Sequence, residues 1–322
     1  MESSTLAPLS TLPDLTAQLI TISILILQRT IRHNSITTTR PIKTNYDFIV
    51  VGSGTSGSIV ASRLTENPAI SVLVLEAGGP QTVTTDVPSH ARQQFGTDID
   101  WNYRTSSQSP NAGNAFNGQI SIQRGRVVGG SHNLNFMVYS RGNRKDFDNW
   151  ANKFGATGWS YKEVLPFFLV TENQTDPVIL ATNANYHSIS GPVVVSSPKN
   201  PDPVIEIIKS SLMNSGYPWV DQNGPSQVGI NNFQQTIYLN NTRSTTASAF
   251  LEANMWRSNL QVLTKALVRR ILFNTNNGNP QAIGVEYERQ GQVYQVYATQ
   301  EVILSAGRIL SSFFLLISHY FT

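Results

Sequence analysis

Residues 46–79, YDFIVVGSGTSGSIVASRLTENPAISVLVLEAGG, constrain the fold more than any other stretch of the chain. Apart from Asp47, Tyr46 to Val51 is continuously apolar, as befits a parallel strand covered on both faces. Gly52, Gly54 and Gly57 then spell GxGxxG, and the small and apolar residues of 58–65 suit a helix lying tightly on a sheet. Ile70 to Leu75 is a second apolar strand with Glu76 at its carboxyl end, which completes a βαβ order. In such a unit the first glycine makes the tight turn, the second lets backbone approach a pyrophosphate, and the third lets the helix close on the sheet. Thr55 and Ser56 fall where the helix N-terminus offers N–H groups and partial positive charge to a diphosphate. Glu76, with Ala77 beside it, stands where an acid accepts hydrogen bonds from the ribose of an adenosine half. The spacing predicts a dinucleotide site. A lone glycine turn with nothing bound is the weaker reading, and the glycines do not choose between FAD and NAD.

The remainder of the chain bounds what that site can serve. At 322 residues and 40% apolar content there is enough material for one large or two ordinary packed domains. The formal net charge of +3 comes from 23 basic and 20 acidic residues, an excess too small and scattered to argue for nucleic acid. With no cysteine, thiol catalysis, zinc-thiolate sites, iron–sulfur clusters and disulfides are excluded. Any redox chemistry therefore needs an organic cofactor or a metal held by oxygen and nitrogen.

Residues 1–45 read as a signal-like or irregular extension. The run Leu19 to Leu27, LITISILIL, is shorter than a bilayer span and closer to a signal-peptide core, although no basic residue precedes it. The expectation is a secreted protein, with membrane association or an irregular extension as alternatives. Asn173 (N-Q-T) and Asn240 (N-N-T) are sequons that a secreted chain could use.

Residues 46–155 form the first part of the nucleotide domain, with 80–120 read as an extended connection containing DWNYRTSSQ. A second glycine cluster, GRVVGGSHNLNFMVYSRGN, covers 125–143; alone it is compatible with a turn followed by an Asx cap at Asn135. Residues 156–240 supply short helices and strands, including a helix with Ile205, Ile208 and Leu212 on one face and Gly216 as its cap. Residues 241–310 return to the nucleotide domain. They comprise a helix from Thr245 to about Asn254, two strands in LQVLTKALVRRILFN, a hairpin through Gln290-Gly291, and the short buried strand EVILSAG. The tail, 311–322, is apolar nearly to its end and needs neighbours on all sides.

These motifs together resemble the glucose-methanol-choline (GMC) family of FAD-dependent oxidoreductases, in particular its animal glucose-dehydrogenase-like branch. The 46–79 stretch resembles the family's flavin motif, GRVVGGSHNLNFMVYSRGN its first signature, and RSTTASAFL, NLQVLTKALVRRILF and EVILSAG follow in family order. The resemblance implies an α/β fold: a Rossmann-like FAD-binding domain with an inserted α+β substrate domain, here incomplete. It assigns Gly52, Gly54 and Gly57 to the FAD diphosphate and Glu76 to the ribose. Arg126, Val128, Gly129 and Gly130 would lie along the diphosphate and ribityl chain, Asn135, Phe136, Met137 and Val138 near the flavin ring, Val268 at the adenine, and Gly307 again by the diphosphate. It implies hydride transfer from a small alcohol or sugar to flavin N5, with an electron acceptor that the motifs leave open.

Two departures qualify the resemblance. His132 replaces a serine of the signature; the family's covalent tether is a histidine two residues later, where this chain has Leu134, so noncovalent FAD is expected, with His132 a polar neighbour of the diphosphate. After SAG the second signature fades, with Ser312 in place of proline and His319 in place of glycine. None of His33, His90, His132, His187 and His319 matches the family's catalytic histidine. The expectation is an incomplete form of the enzyme, and the alternative is a flavin-binding fragment or isoform without activity.

Overall fold

The computed structural model describes residues 12–108, 118–199, 202–275 and 279–318. In chain order the elements are α1 (Leu12–Asn34), β1 (Asn45–Val51), α2 (Thr55–Leu64), β2 (Val72–Leu75), α3 (Val83–Asp86), β3 (Tyr103–Arg104), β4 (Ser121–Ile122), α4 (Arg144–Phe154) and α5 (Tyr161–Thr171). They continue with β5 (Glu172–Gln174), α6 (Pro177–Asn183), β6 (Val193–Val195), α7 (Pro203–Asn214), β7 (Leu260–Leu263), β8 (Leu267–Asn274), β9 (Gln281–Arg289), β10 (Gln292–Leu304) and α8 (Gly307–Ile317).

The main sheet has six strands in the order β7-β2-β1-β10-β9-β8. β7, β2, β1 and β10 run parallel, and β9 and β8 continue the sheet antiparallel. Alternation along β1 divides the core. Ile49 and Val51 join Leu73, Leu75, Val285 and Phe314 on one face, while Phe48 and Val50 join Val72, Val74, Ala61 and Leu251 on the other. Each such side chain contributes about 1.5–3 kcal/mol on burial, and this is why β1 reads as an unbroken apolar run.

The sequence-predicted strands at 260–274 and the hairpin through Gln290-Gly291 are present, with Gln290 and Gly291 both at positive φ. EVILSAG differs: it is the end of a single 13-residue strand, β10, that pairs antiparallel with β9 and then parallel with β1. The helix expected from Thr245 is instead a π turn over Ala247–Leu251 and a 3-10 turn over Glu252–Asn254. It lies against α2, where the wider turn leaves Phe250 and Leu251 buried. Residues 80–120 hold α3, a 3-10 turn and the β3-β4 pair, although 109–117 lie outside the described residues.

The reading of 1–45 as a separate extension meets a different picture, with residues 1–11 outside the described ones. α1 exposes Leu19 and Leu27, yet its last turns are fastened to the domain. Arg29 Nε donates to Asp86 Oδ2 at 2.6 Å, and His33, 1% exposed, bridges Asp86 (2.9 Å) and Glu252 (2.7 Å). Ile36 enters the core, and Thr38 N–H donates to Val262 O. Buried polar partners, which a sequence window over this stretch does not contain, hold the segment in place. No helix among the described residues is long and apolar enough to cross a membrane.

The tail forms α8, which buries Phe314 against the sheet and leaves Phe313 and Leu316 exposed; His319 lies outside the described residues. Between the two passes through the main sheet, β5 and β6 form a short parallel pair beside the aromatic cluster of Phe147, Trp150, Tyr161 and Phe168. A buried polar network fastens this region: Glu172 accepts from Arg141 and from His187 Nδ1 (2.8 Å), and His187 Nε2 lies 2.7 Å from Asp221.

Candidate cofactor site

The carboxyl ends of β1, β2 and β10 and the amino end of β8 open onto one cleft of about 420 Å³. Backbone bonds align these ends: Gly52 N–H donates to Leu75 O, Glu76 N–H to Leu263 O, and Ser305 N–H to Val51 O. Ligands of open α/β sheets bind at this edge, where the strand order reverses.

The glycines of the first turn act as the sequence predicts. Gly52 has φ +96°, and a Cβ there would lie 2.6 Å from Ser305 O; at Gly57 it would lie 2.0 Å from Gly52 O. Gly54 is different. It lines the cleft, and a Cβ on it would meet nothing within 4 Å, so its backbone is bare toward open space. Thr55 and Ser56, at the start of α2, and Gly307 and Arg308, at the start of α8, also line the cleft. Two helix N-termini therefore favour an anion there.

The second glycine cluster comes to the same place. Gly129 N–H donates to Ser53 O at 2.9 Å, Val128 N–H donates to Gly79 O at 3.0 Å, and Gly130 lines the cleft with φ +57°. Gly78 is packed so closely under this loop that a Cβ would lie 1.9 Å from Arg126 O.

Glu76 is buried at the cleft floor. Its Oε2 accepts from Ser53 N–H (2.9 Å) and Ser53 Oγ (2.7 Å), and its Oε1 accepts from Gly78 N–H (2.8 Å). Burial pushes its pKa above the ordinary carboxylate value, against the pull of these donors. Oε1, with a single donor, keeps a lone pair for a further donor such as a ribose hydroxyl. Ala77 and Val268 also line the cleft.

Other expected residues are placed elsewhere. Val128 is wholly buried in the core beneath the loop, and Gly129 abuts Asn133 and Ala247. Arg126 is exposed and stacks over Trp101 at 5.0 Å. Asn135, Phe136, Met137 and Val138 do not line the cleft. Phe136 and Val138 are about half exposed, Asn135 Oδ1 accepts from Arg243 Nη1 (2.8 Å) and Met137 N–H (3.0 Å), and Met137 is buried at φ +61°. His132 likewise does not line the cleft. Its Nδ1 accepts from Thr246 N–H (3.4 Å), which leaves Nε2 to donate to Thr236 Oγ1 (3.1 Å). Burial, reinforced by the Arg243 charge, pulls the His132 pKa down to about 4 and keeps the ring neutral.

Four contributors were not singled out from sequence. Trp101 and Tyr103, stacked at 5.9 Å, line the cleft, and the Tyr103 hydroxyl is buried with no hydrogen-bond partner. Asn133 holds the loop from within, donating to Val128 O (2.7 Å) and accepting from Gln81 Nε2 (2.6 Å). Arg243, 1% exposed, donates from Nε to Thr85 O and from Nη1 to His132 O and Asn135 O. Isolated aromatics in a polar stretch hint at the first pair; the other two depend on contacts distant in sequence.

A Rossmann-like sheet with two glycine loops and an acid converging on its carboxyl edge defines a dinucleotide-binding protein. The family is settled by comparison: the chain belongs to the GMC oxidoreductases, whose family model matches residues 46–319. It is 38% identical over 275 residues to "Glucose dehydrogenase [FAD, quinone]" of Drosophila melanogaster, covering 85% of this chain and 43% of that protein. It is 35% identical over 274 residues to "Oxygen-dependent choline dehydrogenase" of Xanthomonas campestris pv. campestris, covering 83% and 47%. Among solved structures, pyridoxine 4-oxidase from Mesorbium loti superposes with a TM-score of 0.76 at 30% identity, covering 85% of this chain and 52% of the other. The chain thus spans less than half the length of these curated relatives.

Proposed function

We propose that this protein binds FAD without a covalent bond and belongs to the chemistry of an oxidoreductase acting on the CH–OH group of a small alcohol or sugar. The observation that carries the reading is the meeting of Gly54, Gly130, Glu76, Val268 and Gly307 around a single cleft. The fit to the cofactor rests on two features of that cleft, the bare backbone at Gly54 and the unpartnered hydroxyl of Tyr103. Both suit a polar group that the polypeptide does not itself supply.

On this reading Thr55, Ser56 and Gly307 present helix N-termini to the diphosphate, Gly130 keeps the backbone close to it, and Glu76 accepts from the ribose. When bound, FAD supplies a two-electron acceptor for the donor carbon; the protein's part is to orient it and exclude water. Leu134 at the tether position favours a noncovalent cofactor. The named activities of the glucose and choline dehydrogenase relatives support an alcohol or sugar donor.

A second reading, flavin binding without turnover, is favoured by one observation. The described residues lining the cleft include no histidine, and His132 is neutral and engaged elsewhere. Flavin absorbance in the purified protein, followed by alcohol turnover with a dye acceptor, tests both. Absence of flavin after reconstitution overturns the proposal, and bound flavin without turnover selects the second reading.

A further inference from the structure

Of the two sequons, the structure distinguishes sharply which can carry a glycan. Asn240 sits at the tip of a tight reversal of chain: Ile237 bridges Arg243 antiparallel, Tyr238 N–H donates to Thr242 O (2.8 Å), and Asn241 N–H donates to Tyr238 O (2.9 Å). Asn241 takes φ +62°, a conformation asparagine tolerates, and it turns the chain within the sequon itself. Asn240 and Asn241 are exposed, as is the preceding Leu239. The Thr242 hydroxyl donates to Asn240 Oδ1 at 2.8 Å and Thr242 N–H donates to the same oxygen at 3.2 Å. The sequon is thus folded into an Asx turn in which the carbonyl end of the side-chain amide is engaged by the hydroxyl residue and the Nδ2 end is turned away from it.

Asn173 is half-buried and held in a paired strand instead of an exposed turn. It lies within β5 between Glu172 and Gln174, both buried, with Val194 paired along one edge and Ile189 bridged on the other. Glu172 is the acceptor of the Arg141 and His187 network, so freeing Asn173 would open that network as well.

We propose that Asn240 is an N-glycosylation site of this protein and that Asn173 is not. The co-reactant is a lipid-linked diphospho-oligosaccharide. Asn240 Nδ2 forms the bond to the anomeric carbon, the anomeric C–O bond to phosphate breaks, the amide gives up one proton, and the lipid diphosphate leaves with the bonding electron pair. No oxidation state changes. A glycan there extends from an exposed turn, none of whose residues 237–243 lines the cofactor cleft.

The site is usable only in a chain that enters the secretory pathway, a reading proposed from the Leu19–Leu27 run, so the test separates the two. The full chain is expressed in insect cells in two forms, with its own amino terminus alone and behind a cleavable secretion leader, and the membrane-enclosed and secreted fractions are digested with peptide-N-glycosidase. In the leader-bearing form a single-glycan mobility shift is expected, mapped to position 240 by mass spectrometry, abolished by Asn240→Gln and by Thr242→Ala, and kept by Asn173→Gln. An unglycosylated Asn240 in that form, or a glycan carried at Asn173, overturns the proposal even if the protein is secreted. A glycan at Asn240 in the leader-bearing form alone upholds the site and discards the secretory reading of the native amino terminus.

Discussion

Gly130 meets Gly54 backbone against backbone: a Cβ on Gly130 would lie 2.9 Å from the Gly54 Cα. Two loops far apart in sequence are thereby joined at the mouth of the cofactor cleft, and the two glycines lack a side chain there to different effect. Gly130 has no room, whereas Gly54 has room that the proposed cofactor needs.

The two glycines consequently predict different failures. Gly130→Ala adds the strain of φ +57° to a backbone collision and is expected to cost roughly 2–4 kcal/mol of stability, read as a lowered urea midpoint. Gly54→Ala, at φ −64° with open space at the Cβ, is expected to leave the apo midpoint unchanged and weaken FAD binding at least about tenfold in a fluorescence titration. Equal loss of stability in both variants would refute this division.

Tyr103 tests the cleft from its other wall. Its hydroxyl has no partner, and burial raises its pKa, with Arg126 opposing, so the neutral phenol is the resident form. Tyr103→Phe is expected to leave the apo protein as stable or slightly more so and to weaken FAD binding by about 0.5–1.5 kcal/mol, the worth of one hydrogen bond. An unaltered affinity would exclude the hydroxyl from the cofactor's contacts.

Arg243 is a positioning residue for the loop after Gly130. Its donors satisfy the carbonyls of Thr85, His132 and Asn135, and desolvation lowers its pKa to about 10, with Asp86 opposing. Arg243→Met removes a buried charge but leaves several buried acceptors unmet, and is expected to cost roughly 2–4 kcal/mol, measured by denaturant titration. Weakened FAD binding should accompany the loss, because Gly130 belongs to the same loop.

The two bridged imidazoles set the alkaline edge of stability. His33 between Asp86 and Glu252, and His187 between Glu172 and Asp221, each lose charge stability by burial but regain more from their carboxylates, ending at about 9 against an ordinary 6.5. A raised folded-state pKa gives stabilisation that is complete below pH 6.5 and lost as pH rises through about 9. Each histidine contributes a slope of up to about 1.4 kcal/mol per pH unit in that window. The same pairs hold Asp86 and Asp221 below the usual carboxylate range, so their contribution is present above about pH 4 and lost as pH falls further. Urea midpoints from roughly pH 6 to pH 10 should flatten in His33→Gln and His187→Gln and flatten most in the double variant. A double variant with the original slope would dismiss both histidines.

The strand-turn-helix of 46–65, the acid at Glu76, the hairpin at Gln290-Gly291 and the cleft position of Val268 were legible because each is a local pattern or part of a motif in register. The long β10 was not, since one half alternates for a two-stranded neighbourhood and the other is apolar for a buried parallel one, so a reader of patterns divides it. The position of Asn135 to Val138 outside the cleft was not legible either, because Arg243 and Asn133 hold the loop by bonds that reach across the sequence. The anchoring of His33 is a third instance: an apolar run dominates its surroundings, and the two carboxylates that claim it lie far along the chain.

The position of β10 has a consequence for biosynthesis. β1 is made well before the neighbour that covers one of its edges, since Asn45–Val51 pairs with Tyr297–Leu304. Until then an apolar strand waits with unpaired amides, a condition that slows folding and invites adventitious pairing. Such a nascent polypeptide should depend on chaperones while the residues between β1 and Tyr297 are translated, and residues 297–304 are what release it.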